Sequence, residues 1–170
     1  MEIAVEPKSR EDLRRLAFSI RKVLGLEDEL YFPIVELLDV LEETLPGFSY
    51  EIIGDGELPP KKHAETDVET GVVRIKQSVY DGARQGNGRD RMTIAHEFAH
   101  FMTLCFVGFK LYRSFDDRPV EAYRDPEWQA KCLAGELLVP HHLVGSMTAW
   151  DVAEKCGVSE PAARYQLKKR

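Results

Sequence analysis

Long apolar runs are missing from this 170-residue sequence, and no stretch approaches the length that spans a bilayer. Its opening, MEIAVEPKSR, also lacks the basic start and apolar run of a secretory signal, so a cytoplasmic protein with no membrane association is expected. Cysteine is scarce. Cys105, Cys132 and Cys156 are odd in number, widely spaced and without a CxxC pair, which excludes a disulfide framework and a zinc ribbon and leaves them as small buried apolar groups. Positive charge is not in excess either: 23 Lys and Arg face 29 Asp and Glu, for a formal net charge of -6. That balance argues against whole-molecule affinity for nucleic acid, which needs a concentrated positive surface. No internal repeat and no low-complexity tract are present, so a solenoid or a disordered tail is not expected.

What is present is the composition of an ordinary globular domain, 44% hydrophobic and 31% charged, in a chain long enough for one real core. Ser9 with Asp12 makes a capping box, and Leu13, Leu16, Ala17, Ile20, Val23 and Leu24 follow at helical spacing, ending near Gly25. A second helix is expected over 33–45, with Ile34, Leu37, Leu38 and Leu41 on one face and Pro46 as its stop. Three short strands are then predicted, FSYEII from Phe48, AETDVET from Ala64 and VVRIKQSV from Val72, with a hairpin turn at Gly71. GARQGNGRD reads as a loop. After it, RMTIAHEFAHFMTLCF is apolar on every side of a helical wheel, the mark of a helix buried all round. Following a long irregular connection over 107–125, PEWQAKCLAGELLVP has Asp125 as cap, Pro126 in the first turn and Pro140 as stop. Ala130 and Ala134 form a ridge that lets another helix approach closely. The last third reads as helix, turn at Gly157, cap at Ser159 and a final helix.

The buried helix carries HEFAH. His96 and His100, four apart, lie one above the other and direct two imidazoles at one metal ion, while Glu97, offset by about 100°, reaches a water on that ion. HExxH arises by chance in roughly one or two of a hundred such chains, so the buried-helix context is what gives it weight. Catalytic zinc takes a third protein ligand. The extended form HExxHxxGxxH is absent, because Thr103 and Phe106 stand where its glycine and third histidine would be. Glu127, opening the next helix, is the favoured third ligand, and Glu121, Asp125, Glu136, His141 and His142 are its rivals. Tyr112, Tyr123, His141 and His142 have the chemistry to stabilise an oxyanion, and spacing does not choose among them.

Two blocks together resemble the ImmA/IrrE family of metallopeptidases. RMTIAHEFAHFM, residues 91–102, is similar to that family's RFTLAHELGHLL pattern, and EWQAKCLAGELLVP, residues 127–140, to ExxANxFAAxLLMP. Lys131, Leu133 and Ala99 depart from it, in place of an asparagine, a phenylalanine and a glycine. The resemblance implies an α+β fold: a mostly helical, zincin-like metallopeptidase domain with a small three-stranded sheet, and a helix-turn-helix-like hairpin at the C-terminus. The expected division is 1–148 for the peptidase domain, with N-terminal helices over 1–46, the sheet over 47–80 and the zinc-site helices over 88–140, and 149–170 for the hairpin packed on it.

By the same resemblance His96, His100 and Glu127 are ligands of one Zn²⁺ per chain, and Glu97 is the catalytic base. The implied activity is limited endoproteolysis of a helix-turn-helix repressor, which releases its genes. That role is an analogy, and fold likeness alone does not establish it. Two other readings are compatible with the same residues: a toxin paired with an antitoxin, and a non-catalytic regulator that binds a repressor or DNA. For the latter, AEKCGVSEPAARYQL with Arg164, Lys168, Lys169 and Arg170 has the outline of a helix-turn-helix, better suited to docking a repressor than to DNA, although a hairpin that simply closes the core is the favoured account.

Overall fold

The first helix begins where the capping box stands. In a computed structural model that describes residues 3–5, 8–106, 111–113 and 125–169, Ser9 Oγ accepts from the Asp12 N–H and Asp12 Oδ2 accepts from the Ser9 N–H. Helix α1 (Arg10–Val23) then turns Leu13, Ala17 and Ile20 inward. Leu24 caps it, and Gly25 follows at φ 73°, a left-handed value that glycine adopts without strain. Arg21 is buried with its guanidinium on the carbonyls of Leu26, Glu29, Leu30 and Leu137, so one side chain pins the following loop to a later helix. Burial brings its pKa down to about 10. Helix α2 (Ile34–Thr44) buries Ile34, Val35, Leu38 and Leu41.

Strands β2 (Ser49–Ile53), β3 (Ala64–Asp67) and β4 (Val72–Lys76) form one sheet in the order β2-β4-β3. β2 runs parallel to β4, with Ser49 opposite Val72, and β3 runs antiparallel, with Ala64 opposite Ile75 and Thr66 opposite Val73. The centre is β4, whose Val73 and Ile75 are buried. Strand β3 is therefore an edge. Its turn into β4 is held by Asp67 Oδ1, which accepts from the Glu69 and Thr70 N–H groups, and closes at Gly71 with φ 76°. A separate two-stranded ribbon pairs β1 (Ile3–Val5) with β5 (Leu111–Arg113), antiparallel. Neither of its strands is expected from the sequence, and β5 falls in the connection read as irregular.

The third predicted strand is shorter than expected, because its end and the following loop fold as helix α3 (Gln77–Arg84). Val79 and Ala83, one turn apart, are both buried, and this helical pair wins over the alternation that continues the strand. Asn87 then caps α4 (Gly88–Phe101), accepting from the Asp90 N–H at 3.0 Å, so the buried helix begins three residues before Arg91. Helix α4 is the spine of the molecule: Ile94, Ala95, Phe98, Ala99 and Phe101 are all but inaccessible, and Phe48 meets Phe98 and Phe101 edge-on. It continues into a π-type turn, Met102–Phe106.

Helix α5 (Pro126–Leu138) packs along α4 through a face that includes the buried Ala130 and Ala134. Its Glu136 is almost fully buried, with Arg10, Arg14 and Gln166 all donating to its carboxylate, while Arg14 also donates to the Lys169 carbonyl at 2.7 Å. Helices α6 (Ala149–Cys156) and α7 (Glu160–Lys168) form the C-terminal hairpin, capped by Thr148 and Ser159 and turned at Gly157 with φ 67°. Val152, Cys156 and Ala163 join the same core as α4 and α5. The result is an α+β architecture with a small mixed three-stranded sheet. Among the described residues no helix is long and apolar enough to cross a membrane.

Candidate metal centre

His96 and His100 project from α4 one turn apart, and Glu127 faces them from the first turn of α5. The three ligand atoms form a tight triangle: His96 Nε2 to His100 Nε2 is 3.1 Å, His96 Nε2 to Glu127 Oε2 is 3.1 Å and His100 Nε2 to Glu127 Oε1 is 2.9 Å. Donor atoms around a tetrahedral zinc at its usual bond lengths stand about 3.3–3.4 Å apart, so an opening of a few tenths of an ångström fits these residues to the ion. The donor set, two neutral imidazoles and a carboxylate, is also one that suits zinc. Among the described residues this is the one cluster of three or more such groups able to hold a metal.

The environment grades from dry to wet across the triangle. The His100 side chain is 10% exposed, that of His96 25% and that of Glu127 70%. Burial outweighs the nearby Glu127 carboxylate and pushes the His100 pKa below that of a free imidazole, which keeps its ring lone pair available. The open side at Glu127 distinguishes the cluster from a closed structural zinc site, which has no access for a further ligand.

Glu97 points to the sheet side of the triangle. Its Oε2 accepts from Thr66 Oγ1 at 2.5 Å, and Thr66 Oγ1 also lies 3.0 Å from the Glu97 carbonyl. A hydroxyl has one hydrogen, and the shorter contact assigns it to the carboxylate. Two clefts meet at this residue. One, of about 270 Å³, runs past His100 and Glu127 between Val68, Leu104 and Pro126, and the other, of about 360 Å³, runs past His96 between Lys61, His63, Met92 and Lys131.

Of the residues named from sequence, His96, Glu97, His100 and Glu127 are thus brought together. The described rivals for the third position lie elsewhere. Asp125 caps α5, accepting from the Glu127 N–H at 2.9 Å, and Glu136 is held by Arg10, Arg14 and Gln166. His142 contacts the Glu27 carbonyl and the edge of Phe18, and His141 lines a third hollow between α1 and the end of α5. Neither lines the two clefts. Tyr112 lies on β5, where only the backbone is described, and Glu121 and Tyr123 lie outside the described residues.

Thr66 is the functional neighbour that the sequence reading misses. Its one advance signal is alternation: Ala64 and Thr66 share a face of β3, and Ala64 is buried. Lys131, noted from sequence as a departure, also stands at the site.

No protein-family model matches the sequence, and a comparison with curated proteins returns no match. In three dimensions the chain is similar to a Mycobacterium tuberculosis transcriptional regulator, with a TM-score of 0.63 and 18% identity over 93% of this chain. The match takes in 46% of that regulator, so the chain spans about half its length. At this identity the likeness is one of fold.

Proposed function

We propose that this chain is a zinc-dependent endopeptidase with a zincin-like fold, acting inside the cell on a helix-turn-helix repressor. The observation that carries the hydrolytic part is the convergence of His96, His100 and Glu127 around one point, with the Glu97 carboxylate beside them where two clefts meet. The partner rests on the resemblance of residues 91–102 and 127–140 to the ImmA/IrrE pattern, and the regulator of similar fold is compatible with it.

A zinc ion held by His96, His100 and Glu127 would supply Lewis acidity toward a water and a peptide carbonyl. The remaining work belongs to the chain. Glu97 takes the proton from the attacking water and returns it to the departing amine. Thr66 orients the carboxylate for both transfers and keeps it from swinging toward the metal ligands. The outer edge of β3, the strand that carries Glu97's partner Thr66, offers main-chain groups to an extended substrate, which holds the scissile bond in register with Glu97. The buried His100 side keeps bulk water from one flank of the reaction.

The test is made on purified protein with a helix-turn-helix repressor encoded beside it. Metal analysis should give one zinc per chain, lost when His96 and His100 are both replaced by Ala. Glu97→Gln should retain the metal and abolish cleavage. An undiminished cleavage rate in that variant, or equal zinc without the histidines, would sink the reading.

A further inference from the structure

The cleft beside His96 is cationic in a chain whose formal net charge is -6. Four basic side chains line it beside the apolar Ala64, Met92 and Ala134: Lys61, Lys62, His63 and Lys131, of which Lys62 also borders the other cleft. Two of these already face carboxylates, since Lys62 pairs with Glu65 at 2.9 Å and His63 stands near Asp90. Lys61 and Lys131 are exposed, and neither has an acidic ion-pair partner among the described residues. Lys131 comes one helical turn after Glu127 on α5, so both project from the same side of that helix. A free ammonium therefore stands at the lip of the site from each of two elements, α5 and the segment leading into β3.

The cleft on the other side of Glu97 has a different chemistry. Glu97, His100 and Glu127 of the metal site and the mutually paired Lys62 and Glu65 line it on one side, and Val68, Leu104 and Pro126 supply an apolar wall. Glu97 lines both clefts, so a bond placed for attack lies at their junction. Strand β3 runs beneath, contributing Ala64 to the cationic cleft and Thr66 to the apolar one, with its outer edge outside the sheet ladder. A peptide extended along that edge has one flank of the scissile bond in each cleft.

We propose that the site selects substrates with an acidic side chain on one flank of the scissile bond, read by Lys61 and Lys131, and an apolar side chain on the other, read by Val68, Leu104 and Pro126. The selection rests on the hydrolytic reading above. Exposed ion pairs are individually weak, so two lysines acting together give a preference of about fivefold.

The probes are short quenched peptides with a leucine on one flank and Asp, Asn or Lys on the other, made in both orders. Two readouts are taken: kcat/KM with the zinc-loaded protein, and binding to the Glu97→Gln protein by fluorescence anisotropy. The Asp peptides of one order should lead the Asn peptides about fivefold in both readouts, with the Lys peptides lowest. Raising salt should erode that lead. Lys61→Glu with Lys131→Glu should reverse it at unchanged zinc content, and Lys131→Gln alone should reduce it. Cleavage that ignores the charge, or a preference that survives the double exchange, overturns the inference and leaves the hydrolytic reading standing. Charge-selective binding with no peptide ever cut upholds the cleft's selectivity and overturns hydrolysis instead.

Discussion

Removing Arg91 should unfasten the C-terminal hairpin from the helix that carries the histidines. Its side chain is fully buried, yet no carboxylate among the described residues bonds to it. Nε donates to the Gly157 carbonyl at 2.9 Å, Nη1 to the Tyr31 hydroxyl at 2.8 Å, and Nη2 to the Phe32 carbonyl at 2.7 Å and the Cys156 carbonyl at 3.3 Å, with the Tyr31 ring 4.0 Å away. Hydrogen bonds from a charged donor contribute about 1.5–3 kcal/mol each, so the three short ones sum to well above the few kcal/mol recovered when the cation returns to water. Arg91→Met keeps the bulk and strands all four acceptors. A net loss of about 3–5 kcal/mol is expected, and Arg91→Lys, whose single nitrogen cannot reach acceptors served by three separate guanidinium nitrogens, should fall between. Urea unfolding at constant m measures it, and hydrogen exchange should place the loss in α6 and α7. If Arg91→Met unfolds within about 1 kcal/mol of the parent, the bonds do not outweigh the desolvation and the reasoning fails.

Thr66→Val, which removes the hydroxyl on Glu97 at nearly constant volume, should lower kcat about tenfold with zinc content unchanged, as loss of one bond to a charged group implies; steady-state kinetics with metal analysis decide it, and an unchanged kcat would remove Thr66 from the site. Burial raises the thiol pKa of both Cys132 and Cys156 from 9.0 to about 11. Their folded-state values lie above the unfolded ones, so their contribution to stability is complete below about pH 9 and is lost as pH rises toward 11. The urea midpoint should therefore fall over that window more steeply than in a variant carrying Cys132→Ala and Cys156→Ala, and equal slopes would contradict the assigned burial.

Features set by neighbours in the chain were legible in advance. The Ser9 capping box, the Asp125 cap with Pro126 behind it, the αL glycine at 157 and the i, i+4 histidines all depend on local geometry, and each stands where the spacing puts it. Glu127 was legible for a mixed reason, because a first-turn glutamate after a long connection is conspicuous but its meeting with α4 is a tertiary event. The features that were not legible are set across the chain. Helix α3 was hidden because Val73, Ile75 and Val79 continue a two-residue alternation, and because Gly82 reads as a breaker. Its reason is distant: a Cβ there would stand 1.8 Å from Asp90 Oδ2 of the next helix. Thr66 likewise becomes a partner of Glu97 only through the register of β3 on β4, which no local pattern encodes. Glu136 could be separated from Glu127 only by seeing Arg10, Arg14 and Gln166 arrive around it.

That last carboxylate also orders events in time. Arg10 and Arg14 wait on Glu136, 126 and 122 residues later, and Arg14 waits on the Lys169 carbonyl, 155 residues later. During synthesis α1 leaves the ribosome well before α5 and α7, which carry its polar partners. Contacts of such sequence separation slow folding, because the loop they close must be ordered before they give anything back. Until α5 emerges, α1 has two unclaimed arginines and an uncovered apolar face, and the Arg14 bond to Lys169 waits for the last turn of α7. Among the described helices α1 is thus the one longest exposed to the wrong partners.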